Sequence, residues 1–358
     1  MNRFEYIKAP SIAEAIDMMD STVPEAMVTK TDGSAKVVKA AGTDLLDLIK
    51  EGILEPGRVI DLKSIPGLDK LSYDKKEGLQ FGPMVTIADL ENSPEVKKHY
   101  RALYEAAAHA ATPQIRNMAT MGGNLMQRPR CWYFRSSGHH CRKKGGTTCF
   151  AQIGQNQFHS IFMTNVCPCV HPSSLATALL AYDGQVELTG PEGRRVIPLS
   201  EFFTPSEVDV TCENVATNQD IITNIMLPPV QEGTRAFYIK QGQRESYDWS
   251  MGDVAVVLQM DGNKCRDARI VFGAAAPIPL RREAAEEVLK GKAINEKLVM
   301  QAAKKAVEGA TPLAHNGYKV PLFQTLLKRA VMGAVGYFSL VYGFTVPLLV
   351  FNNGAVES

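Results

Sequence analysis

Short alternating runs and longer three-to-four spaced apolar runs take turns along this chain, and they predict a mixed fold of strands and helices. F-E-Y-I near the N-terminus reads as a strand. I-A-E-A-I-D-M-M then spaces its apolar residues as a helix, with Ser11 as N-cap and Glu14 at the capping-box position. Residues 36–40 read as the next strand. It turns through Ala41, Gly42, Thr43 and Asp44 into the helix L-L-D-L-I-K-E-G, so residues 1–58 form a small α/β unit. V-I-D-L, a turn at Pro66-Gly67 and a strand pair through L-Q-F-G-P-M-V-T follow. Thr86 opens one helix, and Y-R-A-L-Y-E-A-A-A-H-A-A is another, on which His109 reads as a satisfied, partly buried histidine.

Beyond residue 174 the pattern gives a helix over 175–180, a hairpin turning at Pro191-Glu192-Gly193 and a short helix from Pro198. Pro228-Pro229 and the polar residues after it mark a boundary. Past it, Y-I-K-Q, V-A-V-V-L-Q-M and A-R-I-V-F-G-A-A-A are strands. Three helices follow, through R-E-A-A-E-E-V-L-K, E-K-L-V-M-Q-A-A-K-K-A-V and V-P-L-F-Q-T-L-L-K-R-A. The divisions expected are 1–229, made of 1–58 and 59–229, then 230–330, then an apolar tail over 331–358. The 22 residues from Ala330 to Phe351 carry no charge, a length that could cross a bilayer. Gly333, Gly336, Gly343 and Pro347 interrupt it, which favours a buried subunit-contact helix over membrane contact.

At 358 residues the chain is long enough for two cores. A formal net charge of +1 supplies no general pull toward nucleic acid. The N-terminus has no apolar run and no twin-arginine pattern, so a cytoplasmic protein is expected, or a periplasmic one exported with a partner subunit.

The chemistry gathers between Thr112 and Ser174. Thr120, Gly122, Gly123 and Asn124 offer nearly bare backbone, as Gly42 does in the earlier strand-to-helix turn, and such N–H groups suit pyrophosphate oxygens. The alternative at Gly42 and Asp44 is a plain tight turn and a plain helix cap. Directly afterwards Cys131, Cys141, Cys149, Cys167 and Cys169 supply five of the seven cysteines. The odd count and crowding argue against a disulfide scaffold and for metal ligation in a reducing compartment. Gaps of nine, seven and seventeen residues between the first four match neither a zinc ribbon nor a bacterial ferredoxin. By spacing alone zinc, iron–sulfur and idle thiols all stand, and His139 and His140 keep a mixed Cys/His zinc site open. Arg142, Lys143 and Lys144 would offset thiolate charge. Cys212 and Cys265 read as buried hydrophobes.

These residues carry a resemblance. The chain, from about Phe4 to about Ala330, resembles the flavin-binding medium subunit of the molybdenum hydroxylases, the xanthine dehydrogenase and carbon monoxide dehydrogenase family. The family's A-G-G-T-D-L stands here as Ala40, Ala41, Gly42, Thr43, Asp44 and Leu45, and its T-x-G-G-N is intact from Thr120 to Asn124. K-Q-G-Q-R-E-S-Y-D-W, beginning at Lys240, and G-A-A-A-P-I-P-L-R, beginning at Gly273, are further likenesses. The pattern Q-R-x-R-C-x-Y-F, two further cysteines and C-x₃-H-P-S is similar to the branch of periplasmic aldehyde oxidoreductase. In that branch and in 4-hydroxybenzoyl-CoA reductase an inserted loop binds a 4Fe-4S cluster.

The resemblance implies an α+β fold: a two-part FAD-binding domain of the PCMH (vanillyl-alcohol-oxidase-like) type, then a smaller C-terminal domain of antiparallel sheet and helices. It implies FAD held by residues 40–45 together with Thr112, Arg116, Ala119, Thr120, Gly122, Gly123, Asn124, Ser173, Ser174 and Lys240. The diphosphate would be met mainly by N–H groups and short side chains, and Lys240 would favour the anionic reduced flavin. A 4Fe-4S cluster would sit on Cys131, Cys141, Cys149 and Cys167, in a loop over about 128–170, with Cys169 spare. Two departures stand out. Ala41 replaces a glycine, which weakens FAD binding if that position needs positive φ. Ser174 replaces an aspartate near the flavin.

The function implied is an electron relay without a proton-transferring residue of its own. A large molybdenum-cofactor subunit would oxidise the substrate and a small subunit with two 2Fe-2S clusters would deliver electrons. This chain would pass them through FAD to an external acceptor such as NAD or oxygen. A free-standing FAD-dependent oxidoreductase and a zinc-stabilised scaffold without redox chemistry are the competing readings.

Overall fold

The computed structural model describes residues 2–244 and 247–336. Twelve strands make three sheets. The first sheet is parallel, in the order β1 (Glu5–Lys8), β3 (Arg58–Asp61), β2 (Lys36–Lys39), with Val37 and Val59 side by side in its core. Parallel neighbours need crossover connections, and the helices Ile12–Met18, Val23–Val28 and Leu45–Lys50 lie along those connections. Ser11 caps the first of these by accepting from the Glu14 N–H, and it donates its hydroxyl to the Glu14 carboxylate.

The second sheet is antiparallel, ordered β4 (Leu71–Asp74), β5 (Gly78–Phe81), β8 (Ile221–Leu227), β6 (Gln185–Gly190), β7 (Gly193–Pro198). The strand pair expected after Pro66 is β4 with β5. Residues 82–85 are therefore a loop rather than a continuation of the strand, and Pro83 lies in it. The β6–β7 hairpin turns on Pro191-Glu192, and Gly193 takes the φ of +104° that closes it.

The third sheet is antiparallel in the order β12 (Leu280–Arg281), β11 (Lys264–Gly273), β10 (Gly252–Asp261), β9 (Thr234–Gln241). Helices Glu283–Leu289, Glu296–Ala306 and Lys319–Ala334 share its second core. The last helix runs beyond Ala330, where the tail was expected to start, because Val331 and Ala334 are buried in that core. The rest of the uncharged run, from residue 337, lies outside the described residues. Among the described residues no helix is long and apolar enough to cross a membrane.

Helix Ser174–Ala181 joins the two larger bodies. S-L-A-T-A-L-L-A has no charge on any face, so it can be covered all round. Residues 175–181 are all buried, between helix Arg101–Ala108 and strands β10 and β11. His109, at the end of Arg101–Ala108, is exposed rather than partly buried, and its Nδ1 sits 2.8 Å from the Glu105 carbonyl. Periodicity missed Pro94–His99 and the short turns Pro113–Arg116, Met121–Leu125, Arg142–Lys144 and Phe150–Ile153. Runs of three to six residues are too short to show a period.

Candidate functional site

Ala40, Ala41, Gly42, Thr43, Asp44 and Leu45 line one side of an open cleft of ≈ 1200 Å³, and Thr120, Gly122 and Gly123 line the other. Gly42 has φ +87°, so it alone supplies the left-handed turn from β2 into helix Leu45–Lys50. Ala41 is not among the residues with positive φ, so its methyl group brings no backbone strain. Among the described residues the N–H groups of Ala41, Gly42 and Thr43 meet no acceptor, which leaves three donors facing the cleft region. Lys39 supports this loop: its Nζ donates to the Ala40 carbonyl and to Asp61, both at 3.0 Å.

The second motif works differently from expectation. Thr120 caps helix Met121–Leu125 through its hydroxyl, and the Gly122 N–H is taken by the Pro83 carbonyl at 2.8 Å. The glycines are needed for closeness, not for free donors. A Cβ on Gly122 would stand 2.6 Å from Cβ of Pro83, and one on Gly123 would stand 3.9 Å from Cβ of Ala40. The two motifs thus approach each other almost without side chains between them.

Asn124, Ser173, Ser174 and Lys240 do not line the cleft but lead away from it. Ser173 donates to the Asn124 side chain and caps helix Ser174–Ala181. Ser174 is the first residue of that helix, and among the described residues the hydroxyl of the buried Tyr238 of β9 has no hydrogen-bond partner. Lys240, also on β9, donates to the His109 carbonyl at 3.0 Å, and burial lowers its pKa. Thr112 and Arg116 have other work. Thr112 caps Pro113–Arg116, while Arg116 binds Glu91 and the carbonyls of Ala110 and Ala111, clamping the turn where Ala111 has φ +42°. The buried Ala119 accepts from the Ile87 N–H.

Five thiols, those of Cys131, Cys141, Cys149, Cys167 and Cys169, surround one cavity of ≈ 330 Å³. Cys167 is the centre of the group. Hydrogen bonds from the Cys149 and Cys169 thiols, with Lys143 nearby, hold its pKa well below the usual thiol value. Burial pushes Cys131 up to about 12, and its charge also feels Cys167 and Cys141. Among the described residues no three His, Cys, Asp or Glu side chains form a set for a single metal ion. His139 and His140 are absent from the cavity lining, and the His139 Nδ1 pairs with Ser136 instead. The histidine at the cavity is His159, whose Nε2 is 3.2 Å from the Cys131 sulfur. Nothing in the sequence spacing marks it. Cys265 is fully buried, whereas Cys212 is only half-buried and lines the cleft.

The loop is fixed at both ends. At its entry the Asp44 carboxylate makes no helix-cap bond, contrary to the plain reading of that residue. It accepts the Arg128 N–H at 2.9 Å and pairs with Arg130 and Arg135 at 2.8 and 2.7 Å. At its exit the carbonyls of Ala275 and Ala276 accept from Ile161, Phe162 and His171, and Lys319 donates to the carbonyls of His159 and Ala274. This is the structural use of G-A-A-A-P. Between the ends lies a buried ion triad in which Arg128 and Lys143 both bind Glu213, at 2.9 and 2.8 Å. Burial opposes every charge there, yet Arg128 and Lys143 keep the Glu213 carboxyl below its usual pKa, and Glu213 carries Lys143 up to about 12.

His171 gives this region an acid limit. Burial holds its pKa down at about 3 against an ordinary 6.5, and its Nε2 has no partner. The folded state therefore binds fewer protons than the unfolded chain between these values, so stability present above pH 6.5 is lost as pH falls toward 3. Urea unfolding at pH 5 should show a loss of about 2 kcal/mol relative to pH 7 from this residue, and His171→Gln should reduce the difference.

Comparison with known proteins then decides the family. Residues 2–230 match the FAD binding domain in molybdopterin dehydrogenase, and residues 237–334 match the CO dehydrogenase flavoprotein C-terminal domain. The FAD-binding subunit of an aldehyde oxidoreductase from Escherichia coli (strain K12) is 33% identical over 300 residues, 82% of this chain and 90% of that one. The chain belongs to the FAD-binding subunits of the molybdenum hydroxylases. As a member of that family it is a flavoprotein subunit of an oxidoreductase with an α+β fold. The medium chain of carbon monoxide dehydrogenase from Hydrogenophaga pseudoflava is 29% identical over 339 residues, covering 93% and 97% of the two chains. A solved structure of that organism's enzyme, lacking the Mo-pyranopterin moiety of its cofactor, matches this FAD-binding subunit with a TM-score of 0.72 and 26% identity, over 93% and 98% of the chains.

Proposed function

We propose that this chain is the electron-transferring FAD subunit of a molybdenum-containing hydroxylase, of the aldehyde oxidoreductase or xanthine dehydrogenase kind. It takes electrons from the 2Fe-2S clusters of a small partner subunit and delivers them to an external acceptor, while a large molybdenum-cofactor subunit oxidises the substrate. Residues 1–229 are its FAD-binding part, residues from 230 its C-terminal part, and the inserted loop carries a 4Fe-4S cluster. The observation that carries this reading is the cleft formed by both glycine motifs, with a cavity ringed by five cysteines beside it.

FAD bound in the cleft supplies uptake of electrons one at a time and their release in pairs. The free N–H groups of Ala41, Gly42 and Thr43 suit its diphosphate, and Gly123 keeps side chains out of the way. The Asn124–Ser173 hydrogen bond leads from the cleft to helix Ser174–Ala181, and the ammonium of Lys240 would favour a negatively charged ring. The cysteine cavity fits a cluster: it has more than four thiols, nearby Arg142 and Lys143, and a hydrogen-bonding histidine.

The test is purification of the native assembly, with mass spectrometry of co-purifying chains, a visible spectrum and electron paramagnetic resonance after reduction. Flavin bands, a 4Fe-4S signal and two partner subunits are expected. Turnover by the isolated chain would favour the free-standing oxidoreductase instead, and a colourless zinc protein would favour the scaffold.

A further inference from the structure

The Arg128–Glu213–Lys143 triad touches both sites. Arg128 and Glu213 line the cleft, and Lys143 lines the cysteine cavity. All three side chains are almost wholly buried, at 2–4% exposure. The Arg128 guanidinium also lies 4.9 Å from the ring centre of Phe134, another residue of the cavity wall, and Nη2 donates to the Thr211 carbonyl beside the cleft. One carboxylate therefore holds two cations that belong to different cavities, and no water-filled gap is needed to link them.

From this geometry we propose that the triad tunes both cofactor sites at once, its net positive charge holding up the reduction potentials of the cysteine-bound cluster and of the flavin together. The inference rests on the iron–sulfur reading given above. Two cations and one anion leave a single positive charge between two groups that each gain negative charge on reduction. In a buried setting that charge is poorly screened and acts on both sides.

The experiment is a redox titration of the native complex, following the cluster by electron paramagnetic resonance and the flavin by its visible bands. Lys143→Met removes a positive charge and should shift both midpoint potentials to more negative values. Lys143→Arg keeps the charge and should stay near wild type. Glu213→Gln removes the negative charge and should shift both potentials the opposite way. A structural clasp would not reverse sign between Met and Gln variants. Shifts in the same direction, or a flavin potential that does not move in either variant, overturn this shared tuning. If Lys143→Met loses its iron, Glu213→Gln with intact iron decides alone. A wild-type complex with flavin but no iron would instead overturn the cluster reading itself, and the two failures are told apart by metal content.

Discussion

Gly122→Ala should lose most of its FAD, although it adds only one methyl group. The new Cβ would fall 2.6 Å from Cβ and 3.1 Å from the carbonyl oxygen of Pro83, and proline has no rotamer by which to withdraw. The Gly122 N–H is bonded to that same carbonyl, so the clash also breaks the bond that seats helix Met121–Leu125. Overpacking of this kind costs about 1–3 kcal/mol, or roughly a 5- to 150-fold fall in affinity if the strain is relieved by opening the cleft. Flavin absorbance per chain after gel filtration measures it. Gly123→Ala separates the two effects: its nearest contact is the Thr120 hydroxyl at 3.2 Å, so the packing on Pro83 is untouched and any flavin loss there reports the methyl group in the cleft.

Cys141→Ser should empty the cysteine cavity of iron. Cys141 is buried, lines the cavity and packs in the same core as Phe134 and Leu48, so its sulfur has no route by which a neighbour could replace it. Serine does not supply the thiolate that the metal requires, and a cluster held by three ligands is labile. Non-haem iron is expected to fall to roughly zero, with a lower melting temperature because bound metal stabilises the fold that binds it. Cys169→Ser should keep its iron, since the proposed ligand set of Cys131, Cys141, Cys149 and Cys167 leaves Cys169 as the spare thiol of the five at the cavity. Full iron in Cys141→Ser, measured by colorimetric assay, would remove the cluster from this loop.

Most of the strands, the two glycine motifs and the crowding of cysteines were legible in the sequence because each depends on local pattern, whereas β8 in the middle of the second sheet and the two-residue β12 were not read. What stayed hidden depends on contacts far apart in the chain. Glu213 has no motif around it, yet it pairs with residues 85 and 70 positions away. His159 lies in a polar stretch without periodicity, and only folding brings it to Cys131. Asp44 looked like a helix cap, but three arginine-bearing positions of the loop claim its carboxylate. Gly122 shows the opposite error. A glycine can be required by what stands next to it, and sequence cannot tell that from a need for exposed backbone.

The anchors at the loop's exit, Asn316 and Lys319, are synthesised more than 140 residues after the segment they hold, since both bond the carbonyl of His159. A chain growing from its N-terminus completes the first two sheets well before these residues leave the ribosome. Closure of the cysteine cavity at this end is therefore a late event in folding, after the first two sheets have formed.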